Sequence, residues 1–118
     1  MTESLKPIDQ AHFVVNLASD KKASDIVILD IRELSDLTDY FVLLTGESQR
    51  QIGALVEDIK QGLKEVGVRL HHSEGTTGSS WRLLDYGDLV IHVFESTKRI
   101  YYDIEGMWSK AHEVVRIQ

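Results

Sequence analysis

The chain has 118 residues, a length suited to one domain (1–118) with a core of ordinary size that needs neither disulfide nor metal to fold. It contains no cysteine, which excludes disulfide frameworks, thiolate zinc sites and cysteine nucleophiles, and fits a reducing, intracellular setting. A formal net charge of -6 argues against bare nucleic acid as the main ligand, because neutralising phosphates takes clustered Lys and Arg, and a basic protein surface suits this charge better.

Met1 to Pro7 carries acidic Glu3 and lacks both the apolar core of a secretory signal and the Arg-rich character of an import peptide. The apolar runs Ile26 to Leu29 and Tyr40 to Leu44 are too short to span a bilayer, so a cytoplasmic protein is expected. Ile8, Ala11, Val14, Val15 and Ala18 share one face at helical spacing, and Pro7 is acceptable at a helix start, which predicts a first helix over Ile8 to Ala18. Polar Ser19 to Ser24 interrupts it. Ile26 to Ile31 and Tyr40 to Thr45 are apolar at adjacent positions instead of alternating, as expected of strands covered on both faces in a layered α/β domain.

Ile52, Leu55, Val56, Ile59, Leu63 and Val66 form a continuous apolar stripe, with Ser48 and Gln51 as a capping box and Gly67 as the stop. Val68 to His72 alternates and reads as a half-exposed strand near an edge; Glu74 to Ser80 is a loop. Trp81 to Asp85 and Leu89 to Phe94 read as a hairpin closed by Tyr86-Gly87-Asp88, with exposed aromatic and acidic groups at its bend. A last helix is predicted over Lys98 to Val114, with Tyr101, Ile104, Trp108 and Ala111 on one face and Gly106 weakening its middle by about 1 kcal/mol relative to alanine. The sum is an α/β fold with a mixed sheet of about five strands flanked by helices.

Several patterns point to chemistry. Thr45-Gly46-Glu47-Ser48, at a strand end opening into a helix, has the placement of a phosphate site, but it has one glycine, no following Lys and a repelling Glu; a turn with an N-cap is the simpler account. Metal-dependent nucleotidyl transfer needs converging carboxylates, normally two alternating on one strand, and no D-x-D or D-x-E pair occupies a predicted strand. Asp30, Asp85 and Asp88 are the candidates left, the last two flanking a glycine turn that turns them to water. His71 and His72 would point to opposite faces of a strand and so cannot chelate one ion. His92 shares a face with Val90 and Phe94 and reads as a core histidine. Ser79 and Ser80 lack the context of a nucleophile elbow.

Trp81, Tyr86, Tyr101, Tyr102 and Trp108 gather in the last third of the chain among Asp85, Asp88, Lys98, Arg99 and Asp103. Core filling and a protein-binding surface both account for them. Adjacent Tyr101 and Tyr102 cannot face one core, and aromatics beside Arg are favoured at interfaces.

Three blocks resemble the ribosomal silencing factor family, RsfS or Iojap. They are Asp39-Tyr40-Phe41-Val42 with Ser48, Arg50 and Gln51; Trp81, Leu83 to Asp88, Val90 and His92 to Phe94; and Arg99, Tyr101, Tyr102, Asp103, Glu105 and Trp108. The likeness runs from the first helix to Trp108. Glu47, where neutral polar residues are common, and Gly106 depart from the pattern.

The resemblance implies a non-enzymatic factor, without cofactor or catalytic residues, that binds the large ribosomal subunit through its fourteenth large-subunit protein. Occupancy would block joining of the small subunit and lower translation when nutrients are scarce. It also implies a nucleotidyltransferase-like fold lacking the catalytic carboxylates, and dimers in the free state. The docking residues it suggests are Trp81, Leu84, Asp85, Tyr86, Gly87 and Asp88, with Lys98, Arg99 and Tyr102 adjoining and ribosomal RNA as a peripheral contact. A nucleotide-handling enzyme centred on Asp30 is the rival reading; a homodimeric adaptor acting away from ribosomes is a third.

Overall fold

The computed structural model describes residues 5–118, so the first four residues of the leader reading lie outside it. The chain forms α1 (Pro7–Asp20), β1 (Ser24–Asp30), β2 (Tyr40–Gly46), α2 (Gln49–Glu65), β3 (His72–Glu74), β4 (Trp81–Asp85), β5 (Leu89–Glu95), α3 (Ser96–Tyr102), α4 (Ile104–Met107) and β6 (His112–Ile117). The strands make one six-stranded sheet in the order β3-β4-β5-β2-β1-β6, in which β2 and β5 run parallel and every other adjacent pair is antiparallel. Among the described residues, no helix is long and apolar enough to cross a membrane.

The expected two-sided burial of β1 and β2 is observed. Ile26, Ile28, Tyr40, Val42 and Leu44 face a core shared with α1 and α2, whereas Val27, Leu29, Phe41 and Leu43 face a second core with Phe94 and Ile104. The α2 stripe of Ile52, Leu55, Val56, Ile59 and Leu63 is wholly buried, each side chain contributing about 1.5–3 kcal/mol by leaving water. Val66, the last residue of the predicted stripe, is instead the exposed C-cap, and Gly67 follows with φ +82°.

The capping box forms with an altered return contact. Ser48 Oγ accepts from Gln51 N at 3.1 Å, but Gln51 Oε1 accepts from Glu47 N at 2.7 Å. Gly46 lies against α2, where a Cβ would meet Ile52 Cγ1 at 2.6 Å. Its lack of a side chain therefore serves helix packing, and the donors a phosphate would need at Glu47 and Gln51 are already bonded within the protein.

Two element predictions require correction. The edge strand expected over Val68 to His72 is β3, His72–Glu74, while Val68 and Leu70 pack against the helix-side core without joining the sheet. The predicted helix from Lys98 to Val114 is three elements, which raises the strand number from five to six. Asp103 takes the left-handed conformation (φ +48°), ending α3, and its Oδ1 accepts from Gly106 N at 3.0 Å to start α4. A Cβ on Gly106 would lie 2.1 Å from Asp103 Oδ2, so this glycine accommodates a cap and does not weaken a helix centre. Beyond Trp108 the β-branched Val114 and Val115 enter β6, which pairs with β1 across a register shift between Ile28 and Leu29.

Gly46→Ala should lower stability by about 1–3 kcal/mol, because the added methyl must displace the fully buried Ile52. Urea unfolding measures this directly; an unchanged midpoint would contradict the packing account of Gly46.

Candidate docking surface

The predicted hairpin forms, with Trp81 opposite Phe94 and Asp85 opposite Val90. Tyr86 N donates to Leu89 O at 2.8 Å across the turn, Gly87 has φ +90°, and Asp85 Oδ1 accepts from Gly87 N at 2.8 Å. One carboxylate oxygen of Asp85 is thus spent on holding the bend, and Asp88 is exposed at its tip.

Strand alternation divides the anticipated patch between two faces. Leu84 and Tyr86 point into the core beneath α1 and α2 and are 1% and 6% exposed, so the expectation of an exposed turn tyrosine is corrected. Burial pushes the Tyr86 hydroxyl up to about 12. Trp81 packs on the opposite face, against the second core. Gly87 is half-buried and Lys98 exposed, whereas Arg99 is buried.

Arg99 is a structural tie. Its Nε donates to Glu105 Oε1 at 3.1 Å, and its Nη1 donates to Thr45 Oγ1 at 2.8 Å and to the carbonyl of Asp25. Glu105 also accepts from Arg116 Nη2 at 2.7 Å, and Arg116 pairs with Glu113. Burial disfavours ionisation of Glu105, yet the hydrogen bonds from Arg116 and Arg99 outweigh it and hold the carboxyl below the usual range. The network pins α3 and α4 to β1, β2 and β6. A role for Leu84, Tyr86 or Arg99 as an exposed contact is therefore replaced by a role in holding the fold.

What the structure brings together instead is a row of rings on the side of the sheet away from α1 and α2. Tyr102 lies 4.8 Å from Trp81, Trp81 stacks at 5.5 Å on Phe94, and Phe41 meets His92 and Trp108 edge-on at 4.7 and 5.2 Å. Ser80 Oγ and the Tyr102 hydroxyl are 3.1 Å apart. Trp81 Nε1 donates to His92 Nδ1 at 3.1 Å, so a neutral His92 carries its proton on Nε2. Burial lowers the His92 pKa to about 4, which keeps the ring neutral at physiological pH and supports the expected core assignment.

The segments that carry the row also expose apolar side chains: Leu37 at 90% in the loop before β2, Ile100 at 88% and Tyr101 at 77% on α3, and Met107 at 73% on α4. Beside Leu37 opens a cavity of about 290 Å³ lined by residues including Thr38, Phe41, His92 and Trp108, with Glu74 and Asp85 as its acidic groups. The Thr38 hydroxyl and His92 Nε2 are buried without a hydrogen-bond partner among the described residues. Sequence reasoning missed Leu37, Ile100 and Met107, because single exposed apolar residues in loops and short helices leave no periodic signal.

The catalytic alternatives gain no geometry. Asp30 is engaged by Arg32, whose Nε and Nη2 donate to it at 3.0 and 2.7 Å, and that side-chain pairing holds the carboxyl below the usual range despite partial burial. No three His, Asp or Glu side chains among the described residues gather as metal ligands. His72 Nε2 instead lies 3.2 Å from Glu74 Oε2 on the sheet edge.

These features define a small α/β protein whose most developed surface is an aromatic row with an apolar rim. Comparison with known proteins places it further. Residues 4–118 match the family described as "Ribosomal silencing factor during starvation", and the chain belongs to this RsfS family. The ribosomal silencing factor RsfS of Halalkalibacterium halodurans is 36% identical over 100 residues, covering 85% of this chain and 86% of that protein. RsfS of Chromobacterium violaceum is 40% identical over 94 residues, covering 80% and 77%. The maize protein named "Protein Iojap, chloroplastic" is 36% identical over 105 residues, covering 84% of this chain and 44% of its own length. A crystal structure of a Chromobacterium violaceum protein superposes with a TM-score of 0.85 at 35% identity, covering 94% of each chain.

Because His92 has a folded pKa near 4 against an ordinary 6.5, the unfolded chain binds more protons throughout that interval. Its contribution is therefore complete above pH 6.5 and is lost as pH falls toward 4, by roughly 3 kcal/mol in total. Chemical unfolding at stepped pH should show a shallower loss across this window in His92→Phe than in the parent; equal slopes would remove His92 as the cause.

Proposed function

We propose that this chain represses translation by occupancy: it binds the large ribosomal subunit through its fourteenth large-subunit protein and obstructs joining of the small subunit. Family membership supplies the ribosomal setting. The observation that carries the reading is the aromatic row from Tyr102 to Trp108 with its exposed rim of Leu37, Ile100, Tyr101 and Met107. Water-exposed apolar side chains around packed rings are the composition of an interface centre.

Trp81 and Tyr102 form the aromatic middle of the proposed surface, and Asp85 and Asp88 at the hairpin end meet basic groups of the partner. Gly87 holds the bend that presents them. Lys98, at the rim, is placed for an acidic side chain or for peripheral ribosomal RNA. A neutral acceptor from the partner would satisfy the His92 Nε2 proton. Leu84, Tyr86 and Arg99 act through the shape of the surface. In the free state a second copy covers the same apolar rim, so dimerisation and ribosome binding compete. The fold is proposed to be nucleotidyltransferase-like with the carboxylate site missing, and the setting of action is the cytoplasm.

Co-sedimentation with purified large subunits, followed by reassociation with small subunits, tests this. Leu37→Asp and Ile100→Asp should each weaken binding about tenfold or more and restore reassociation in proportion, without changing the unfolding midpoint, because both side chains already face water. Paired charge reversal of Asp85 and Asp88 should weaken it further at low salt than at high salt. Undiminished binding by all of these variants would falsify the assigned surface.

A further inference from the structure

Behind the hairpin, on the side covered by α1 and α2, lies a second cavity, of about 440 Å³. Its walls are Lys60, Lys64, Val68, Arg69, Leu70 and Tyr86, together with Gly67. Its size is within the range of small-molecule sites. The lining is mostly apolar, from Val68, Leu70, the Tyr86 ring and the aliphatic stems of the lysines. Every charged group in it is a cation, although the chain as a whole carries -6.

Competition for these cations within the protein is slight. Lys60 has Glu57 at 3.6 Å, a pair open to solvent, and Lys64 and Arg69 make no ion pair among the described residues. The end of α2 borders the cavity, and its carbonyls would oppose an anion if they were free. Three of them are not: Gly62 O accepts from Val66 N, Lys64 O from Gly67 N, and Leu63 O from Val68 N. The Tyr86 hydroxyl is buried and has no hydrogen-bond partner among the described residues. Burial also keeps it protonated, so it can only gain by meeting an acceptor.

We infer that this cavity binds a small amphipathic anion, with an apolar body lying on Val68, Leu70 and the Tyr86 ring and an anionic oxygen head group set between Lys64, Arg69 and the Tyr86 hydroxyl. A carboxylate and a phosphate monoester share this chemistry. The site lies on the face opposite the aromatic row and does not depend on the reading given to that row.

Titration of the full chain with octanoate and with octyl phosphate, followed by NMR of the Val68 and Leu70 methyls and the Tyr86 ring, tests the assignment. Saturable shifts with either anion are expected, and the tighter one identifies the head group. Octan-1-ol and inorganic phosphate, each lacking one half of the ligand, should bind at least about tenfold more weakly. The Lys64→Glu, Arg69→Glu double variant should lose about tenfold or more in affinity with an unchanged unfolding midpoint. Tyr86→Phe, which removes only an unpartnered hydroxyl, should weaken anion binding a few-fold without lowering the stability of the free protein. Absence of saturable shifts overturns the proposal. So does binding of octan-1-ol or inorganic phosphate equal to that of the anions, or undiminished binding by the charge-reversed variant.

Discussion

The structure depends on burying both faces of β2 at the centre of the sheet. Every residue from Tyr40 to Gly46 is buried, and β2 pairs in parallel with β5 on one side and antiparallel with β1 on the other. A strand of this kind cannot be stable with one face in water, because its side chains on both faces are apolar. It therefore needs two covers. The chain supplies the first with the long helices α1 and α2, and the parallel pairing accounts for α2 in part, since parallel neighbours require a crossover. The second cover is shorter, made of α3, α4 and the loop before β2, and it leaves part of its side open.

This asymmetry links the fold to the proposed docking surface. The helix side is closed by regular amphipathic stripes, whereas the other side is closed by rings and a polar network. Arg99 reaches back from α3 to Thr45 and Asp25 while Glu105 and Arg116 tie α4 to β6. With α3 and α4 held in this way, Tyr102 rests on Trp81 and Trp108 on Phe41, so the rings at the centre are packed against one another. Ile100, Tyr101 and Met107 remain in water at the same time. A pre-organised aromatic centre with an apolar rim loses little conformational freedom on binding, which favours tight association from a small area.

The hairpin serves both sides of the sheet at once. Trp81, Asp85 and His92 belong to the ring side, and Leu84, Tyr86 and Leu89 to the helix side. A single block of adjacent residues thus supplies both cores of the sheet in alternation. Its acidic turn residues also have mixed duties, since Asp85 closes the bend through Gly87 N while Asp88 faces water.

Local patterns determined much of this protein. The stripe of α2, the doubly buried β1 and β2, the Ser48 cap and the Gly87 turn all follow from spacing and side-chain type over short windows, and the signature blocks marked the family. The limits were equally local. The reading of Lys98 to Val114 as one helix followed a 3.6-residue spacing that Asp103 breaks by adopting a left-handed backbone, and β6 gains its pairing partner from β1, far away in sequence. Likewise, a hairpin motif names Trp81, Leu84, Tyr86 and Asp88 together, but which of them meets water depends on which face the helices cover. Only tertiary packing decided that Leu84, Tyr86 and Arg99 lie inside and that Leu37, Ile100 and Met107 lie outside, because burial is set by contacts between segments distant along the chain.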